Sequence, residues 1–140
     1  MLFPMETVFE NFVAVKLSRQ FQNWRVQTQV GGKSLVERHR ERKMFYLRPD
    51  LVLRRGSRTV IADTKWKLLN SSDRGNKYGI SQADMYQLFA YSRKFLPAAS
   101  LRETYLIYPK TQRFQIPLRP FWYEVDLEVL HVVPFDLEAE

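Results

Sequence analysis

The stretch RPDLVLRRGSRTVIADTKWK, residues 48–67, constrains the fold more than any other. DLVLRR and RTVIADTKWK are rich in branched apolar residues and read as two β-strands. The RRGSR segment between them contains Gly56 and reads as a hairpin turn, so the strands lie antiparallel. Each strand also carries a residue that strands disfavour. Asp50 opens the first, and Asp63 interrupts the second directly after VIA, with Lys65 two places on.

The rest of the chain supplies helices and further strands around this hairpin. TVFENFVAVKL places Val8, Phe9, Phe12, Val13 and Leu17 on one broad helical stripe, and Pro4 suits the first turn. WRVQTQV alternates with period two and ends at Gly31-Gly32, which marks a turn; KMFYL follows as a strand. Residues 69–79, LNSSDRGNKYG, read as a polar loop. A second helix begins after Ser81, an N-cap with Asp84 three places on in a capping-box pattern. Met85, Leu88, Phe89, Ser92 and Phe95 continue its stripe, and Pro97 stops it. ETYLIYP reads as a buried strand, and FWYEVDLEVLHVVPF as one or two more. The order is helix, meander of three or four strands, helix, strand, strand. The fold class is α/β of an α+β-like kind, a mixed sheet that starts antiparallel and gains its later strands by a crossover.

Charge is distributed unevenly. Residues 33–67 hold 11 of the 22 Lys and Arg and 4 of the 15 acids, whereas residues 124–140 hold 6 acids and no Lys or Arg. A basic segment of this density suits a polyanion such as nucleic acid, or a solvated charged surface. The acidic end reads as a solubilising tail. Cysteine is absent, which excludes a disulfide framework, a thiolate metal site and a cysteine nucleophile. No apolar run approaches the roughly 20 residues needed to span a bilayer, and the early acids of MLFPMETVFENF do not fit a signal peptide. The expectation is a cytoplasmic protein without a membrane partner.

Asp63 and Lys65 are two apart in a strand and point to the same side. A turn near Gly56 brings Asp50 level with Asp63 across the ladder. Two converging carboxylates repel unless a cation lies between them or one takes a proton. Mg²⁺, with Mn²⁺ as a substitute, suits such oxygen donors, typically with water and phosphate oxygens as further ligands. Lys65 then supplies a positive donor beside the metal, for holding the attacking water or steadying developing charge. That is chemistry for phosphodiester hydrolysis, and the basic surroundings would hold the backbone. The same triplet also fits an ion pair on an exposed strand face.

RPDLVLRRG…VIADTKWK resembles the core of the PD-(D/E)xK nucleases: Pro49-Asp50, a turn, then Asp63-Thr64-Lys65. In SQADMYQLFAY, Gln82 and Tyr86 share a helix face and resemble the Q-x-x-x-Y motif of the RecB-like branch. Taken with FENF on the first helix, the set resembles the nuclease domain of the McrC family over roughly residues 4–110. The resemblance implies a restriction-endonuclease-like core and a single nuclease domain over 1–140, with C-terminal strands and an acidic tail at 111–140. It implies that Asp50 and Asp63 ligate Mg²⁺, that Glu10 completes the metal site, and that Lys65 and Gln82 serve catalysis with Tyr86 orienting the helix. It also implies a DNA endonuclease subunit of a modification-dependent restriction system, with a McrB-like AAA+ GTPase partner. McrC proteins are longer than this chain and carry an N-terminal region that engages that partner. Cutting both strands calls for two active sites and suits a homodimer.

On this reading Arg38, Arg40, Arg42, Lys43, Arg48, Arg54, Arg55, Arg58 and Lys67 hold backbone phosphates. Two other readings share the features: a catalytically silent DNA-binding or assembly module, and a nuclease acting on RNA or single-stranded DNA. His39 and His131 lack metal-ligand spacing.

Overall fold

The computed structural model describes residues 4–98, 100–123 and 127–138. Helix α1 (Met5–Gln20) leads into β1 (Arg25–Thr28), β2 (Lys33–His39), β3 (Arg42–Leu47), β4 (Leu51–Arg55) and β5 (Arg58–Thr64). A 3-10 turn (Arg74–Gly79) precedes α2 (Gln82–Phe95), and β6 (Arg102–Pro109), β7 (Phe121–Trp122) and β8 (Glu128–Phe135) complete the chain. Six strands form one mixed sheet in the order β1-β4-β5-β6-β8-β7. β1, β4 and β5 are antiparallel; β5, β6 and β8 run parallel; β7 is antiparallel to β8.

The sheet lies between the two helices, and the period-two alternation of its strands divides the core. Leu51, Ala62 and Ile107 meet Phe9, Val13 and Ala14 of α1. Their neighbours Val52, Ile61, Leu106 and Leu130 face the other way, against Leu88 and Tyr91 of α2. A fully buried leucine such as Leu106, cut to alanine, costs about 2–5 kcal/mol at a site of this kind.

The meander expected from the sequence is interrupted. β1 pairs with β4, and β2 pairs only with β3 in a separate two-stranded sheet. The β2 strand, KSLVERH, was not among the expected strands, because its charges mask its alternation. Pro49, which has no N–H to donate, stands between β3 and β4 where the chain changes sheet. β8 is an inner strand, so residues beyond 110 share the core. Within the acidic end, Glu124, Asp126 and Glu140 lie outside the described residues. Glu128 is only 1% exposed and lies 3.1 Å from Arg93 and 3.8 Å from Arg102, so it is a buried ion partner rather than part of a solubilising tail. Among the described residues no helix is long and apolar enough to cross a membrane.

Candidate active site

The open end of the β4–β5 hairpin, opposite its turn, places two acids side by side. Leu51 pairs with Ala62, and the same register one step back sets Asp50 opposite Asp63. Each carboxylate is held by the other strand. The Asp50 N–H donates to Asp63 Oδ1 at 2.8 Å, and the Thr64 N–H and hydroxyl donate to Asp50 Oδ2 at 2.9 and 3.1 Å. Asp63 is 3% exposed. Burial, reinforced by the Asp50 charge, pushes its carboxyl up to about 7, against the pull of the Asp50 N–H and Lys65.

Lys65 lies one residue beyond β5, and its N–H donates to the Ile107 carbonyl at 2.9 Å, which carries the chain on along β6. Its Nζ lies 3.6 Å from Asp63 Oδ2 and 3.3 Å from Asp84 Oδ1, and donates to Gln87 Oε1 at 3.3 Å. Burial pulls the ammonium down, but Asp63, Asp84 and Asp50 outweigh it and hold Lys65 above its usual value. It is a cation at neutral pH.

Glu10 of α1 lies against the Asp50 carboxyl, and Gln29 links the two. The Gln29 side-chain amide donates to Glu10 Oε2 at 2.5 Å and to Asp50 Oδ1 at 3.2 Å. Gln29 follows β1 with φ +50, in the left-handed region, and its N–H donates to the Asp50 carbonyl at 3.1 Å. Burial raises the Glu10 carboxyl, the Gln29 hydrogen bond pulls it back, and the Asp50 charge adds to the rise.

The helix motif falls in a different register from the one expected. Gln82 and Tyr86 are exposed, Tyr86 by 66%, and hydrogen-bond to each other on the outside of α2. The contact expected of Gln82 is made by Gln87, five residues on and about 140° around the helix. Tyr91, one turn beyond Gln87, is buried in the core and donates to the Arg48 carbonyl at 3.2 Å. Burial and the charges of Asp63 and Asp50 push its phenol up. The segment SQADMYQLFAY contains the Q-x-x-x-Y spacing twice. Asp84, Gln87 and Tyr91, at i, i+3 and i+7, share the inward stripe, and that periodicity could have selected the second copy. Ser81 occupies the N-cap position, but its side chain makes no capping hydrogen bond, and Asp84 is turned to Lys65. Gln29 carried no comparable signal, since its role depends on a backbone angle.

The basic residues are spread over three places. Arg38, Arg40, Arg42 and Lys43 lie on the β2–β3 hairpin, and Arg48 and Lys67 are exposed near the acid pair in sequence. Arg54, Arg55 and Arg58 lie at the opposite end of the β4–β5 hairpin, roughly 13–17 Å from the acids by strand rise. There Arg54 donates to Gln27, while Arg58 pairs with Glu103 at 2.5 Å and lies over the Trp24 ring. These interactions tie the Arg54 and Arg58 side chains to the protein. An apolar cavity of about 340 Å³, lined by Leu17, Phe21, Trp24, Leu53, Tyr105 and Phe135, is separate from the acid pair.

The donor set fits a hard divalent cation. Two carboxylates converge, one of them so buried that it favours a proton, and Mg²⁺ commonly uses one or two carboxylates with water and phosphate oxygens filling the rest. Among the described residues, no three acid, histidine or cysteine side chains gather into a ready-made cage. Glu10 stands beside Asp50, where Gln29 bridges them, rather than beside Asp63.

Comparison with known proteins bears on the family and the fold. The family described as McrBC 5-methylcytosine restriction system component matches residues 1–109. No curated protein matches the chain. Among solved structures, a chain matches from an assembly of Thermococcus gammatolerans described as McrB AAA+ hexamers with bound McrC. The TM-score is 0.64 at 20% identity, over 95% of this chain and 28% of that one, so the likeness is one of fold and this chain spans under a third of the other's length. With more than half its length matched by the family model, the chain belongs to the McrBC family of restriction-system components.

Proposed function

We propose that the chain is a divalent-metal-dependent deoxyribonuclease module of a McrBC-type restriction system, hydrolysing phosphodiester bonds at Asp50, Asp63 and Lys65. The observation that carries this reading is the pairing of Asp50 with a buried Asp63 beside a lysine cation, in a chain of this family. Asp50 and Asp63 would hold Mg²⁺, or Mn²⁺ in its place. The bound cation would supply Lewis acidity and an activated water at neutral pH.

The chain's own groups then have separate tasks. Lys65, protonated and fixed by Asp84 and Gln87, donates to a phosphoryl oxygen that gains negative charge as water attacks phosphorus. Thr64 fixes the Asp50 carboxylate, and Gln29 ties Glu10 to it. Arg48 and Lys67, exposed and close to the acids in sequence, would hold the flanking backbone. A McrB-like AAA+ GTPase is the expected partner, and cleavage of both strands would need two copies of the site, as in a homodimer. The expected location is the cytoplasm.

Supercoiled-plasmid cleavage tests this. The reading expects nicking by the chain with Mg²⁺ or Mn²⁺, no nicking in EDTA, and none by Asp63→Ala. Equal nicking by Asp63→Ala would overturn it.

A further inference from the structure

The β2–β3 hairpin is the one pair of strands in the described residues that lies outside the six-stranded sheet. Residues 33–47 carry five Lys or Arg against two Glu, and Glu37 is already paired with Lys94 of α2 at 3.1 Å. Lys33, Arg38, Arg40, Arg42 and Lys43 are all exposed. Two large rings are exposed among them, Phe45 by 66% and Tyr46 by 68%, together with Leu35 and Met44. Phe45 has φ +59, a conformation that costs a bulky residue on the order of 1–3 kcal/mol. Apolar rings beside a basic track suit a partner with a charged backbone and apolar groups along its grooves, as a DNA duplex has.

The reach of the hairpin also fits. β2 has seven residues, about 23 Å of strand, close to the rise of six or seven base pairs. Its root is next to the acids: Leu47 is buried against the α2 side of the core, three residues before Asp50.

We propose that the β2–β3 hairpin is an arm that grips duplex DNA, its cations on phosphates and Phe45 and Tyr46 in apolar contact within a groove. This rests on the reading of the chain as acting on DNA. It adds an aromatic contact that the charge pattern did not assign, and it makes the arm a separate unit from the acid pair.

Fluorescence anisotropy of a labelled duplex in EDTA, across a salt series, tests the arm without any cleavage. Arg38→Ala/Arg40→Ala/Arg42→Ala/Lys43→Ala should flatten the salt dependence by roughly 0.9 for each phosphate no longer neutralised. Phe45→Asn/Tyr46→Ser should weaken duplex binding about ten-fold with the salt slope unchanged, since neither ring carries charge. Asparagine tolerates the left-handed conformation at position 45, so this variant keeps the fold, which thermal melting checks. Asp63→Asn should bind duplex as the parent chain does. Absence of duplex binding by the parent chain, or binding by both arm variants equal to that of the parent, would overturn the proposal. So would an aromatic effect confined to single strands, or weakened partner-protein binding with duplex binding intact. A chain that cleaves nothing but whose arm variants lose duplex binding would retain the arm and overturn the nuclease reading instead.

Discussion

Two hairpins arise from the same charge-dense stretch of sequence and have opposite characters. β4–β5 lies inside the sheet, covered on alternate sides by α1 and α2, and presents a half-buried Asp50 beside a buried Asp63 at its open end. β2–β3 stands outside the sheet with its cations and rings exposed. The difference shows that local charge density does not decide which charged groups become buried and paired. Strand partners do: β4–β5 is flanked by β1 and β6, so its polar groups must be satisfied from within, and each acid is held by the facing strand.

The largest effect should separate the two hairpins by function. Asp50→Asn should lower plasmid cleavage on the order of 10³-fold while leaving duplex binding in EDTA unchanged. The four-cation arm variant should do the reverse, weakening binding while retaining the rate at saturating DNA. Single-turnover kinetics beside binding isotherms would show it, and a common loss in both assays would erase the distinction between the hairpins.

A smaller effect distinguishes the two copies of the helix motif. Gln87→Ala frees one of the groups that fix Lys65 and should cost about 10–100-fold in cleavage rate. Gln82→Ala, on the outer face, should leave the rate within about twofold. Comparing the two variants in one assay decides which register serves the site.

The smallest effect is thermodynamic and belongs to the buried hairpin alone. In the unfolded chain Asp63 releases its proton near 3.8, and in the fold near 7. Between these values the folded protein retains the extra proton, so the Asp63 contribution to stability falls as pH rises from about 4 to about 7. Urea unfolding in EDTA should show a loss on the order of 2 kcal/mol between pH 5 and pH 8 from this group. Asp63→Asn should remove that part of the slope, whereas the arm variants should retain it.

Much of this was legible in the sequence, because it depended on local patterns. RRGSR specified a turn, and Gly56 has φ +58 there, so Asp50 and Asp63 were brought level by counting residues. The stripes of α1 and α2 and the strand ETYLIYP were equally local. What was hidden depended on partners distant along the chain. β1 pairs with β4 across the inserted hairpin, Glu128 is buried because two arginines reach it, and Gln29 acts through a left-handed backbone. Gln87 was distinguishable from Gln82 by its place on the Asp84–Gln87–Tyr91 stripe, a weaker signal than the Q-x-x-x-Y spacing that both share.

The central claim is that the open end of β4–β5 holds a divalent cation. Calorimetric titration of Mn²⁺ into the chain at pH 8, beside Asp63→Asn, tests it without depending on a partner or on cleavage. Saturable binding by the parent chain that is lost in Asp63→Asn is expected. No binding by the parent chain, or equal binding by both proteins, would contradict it.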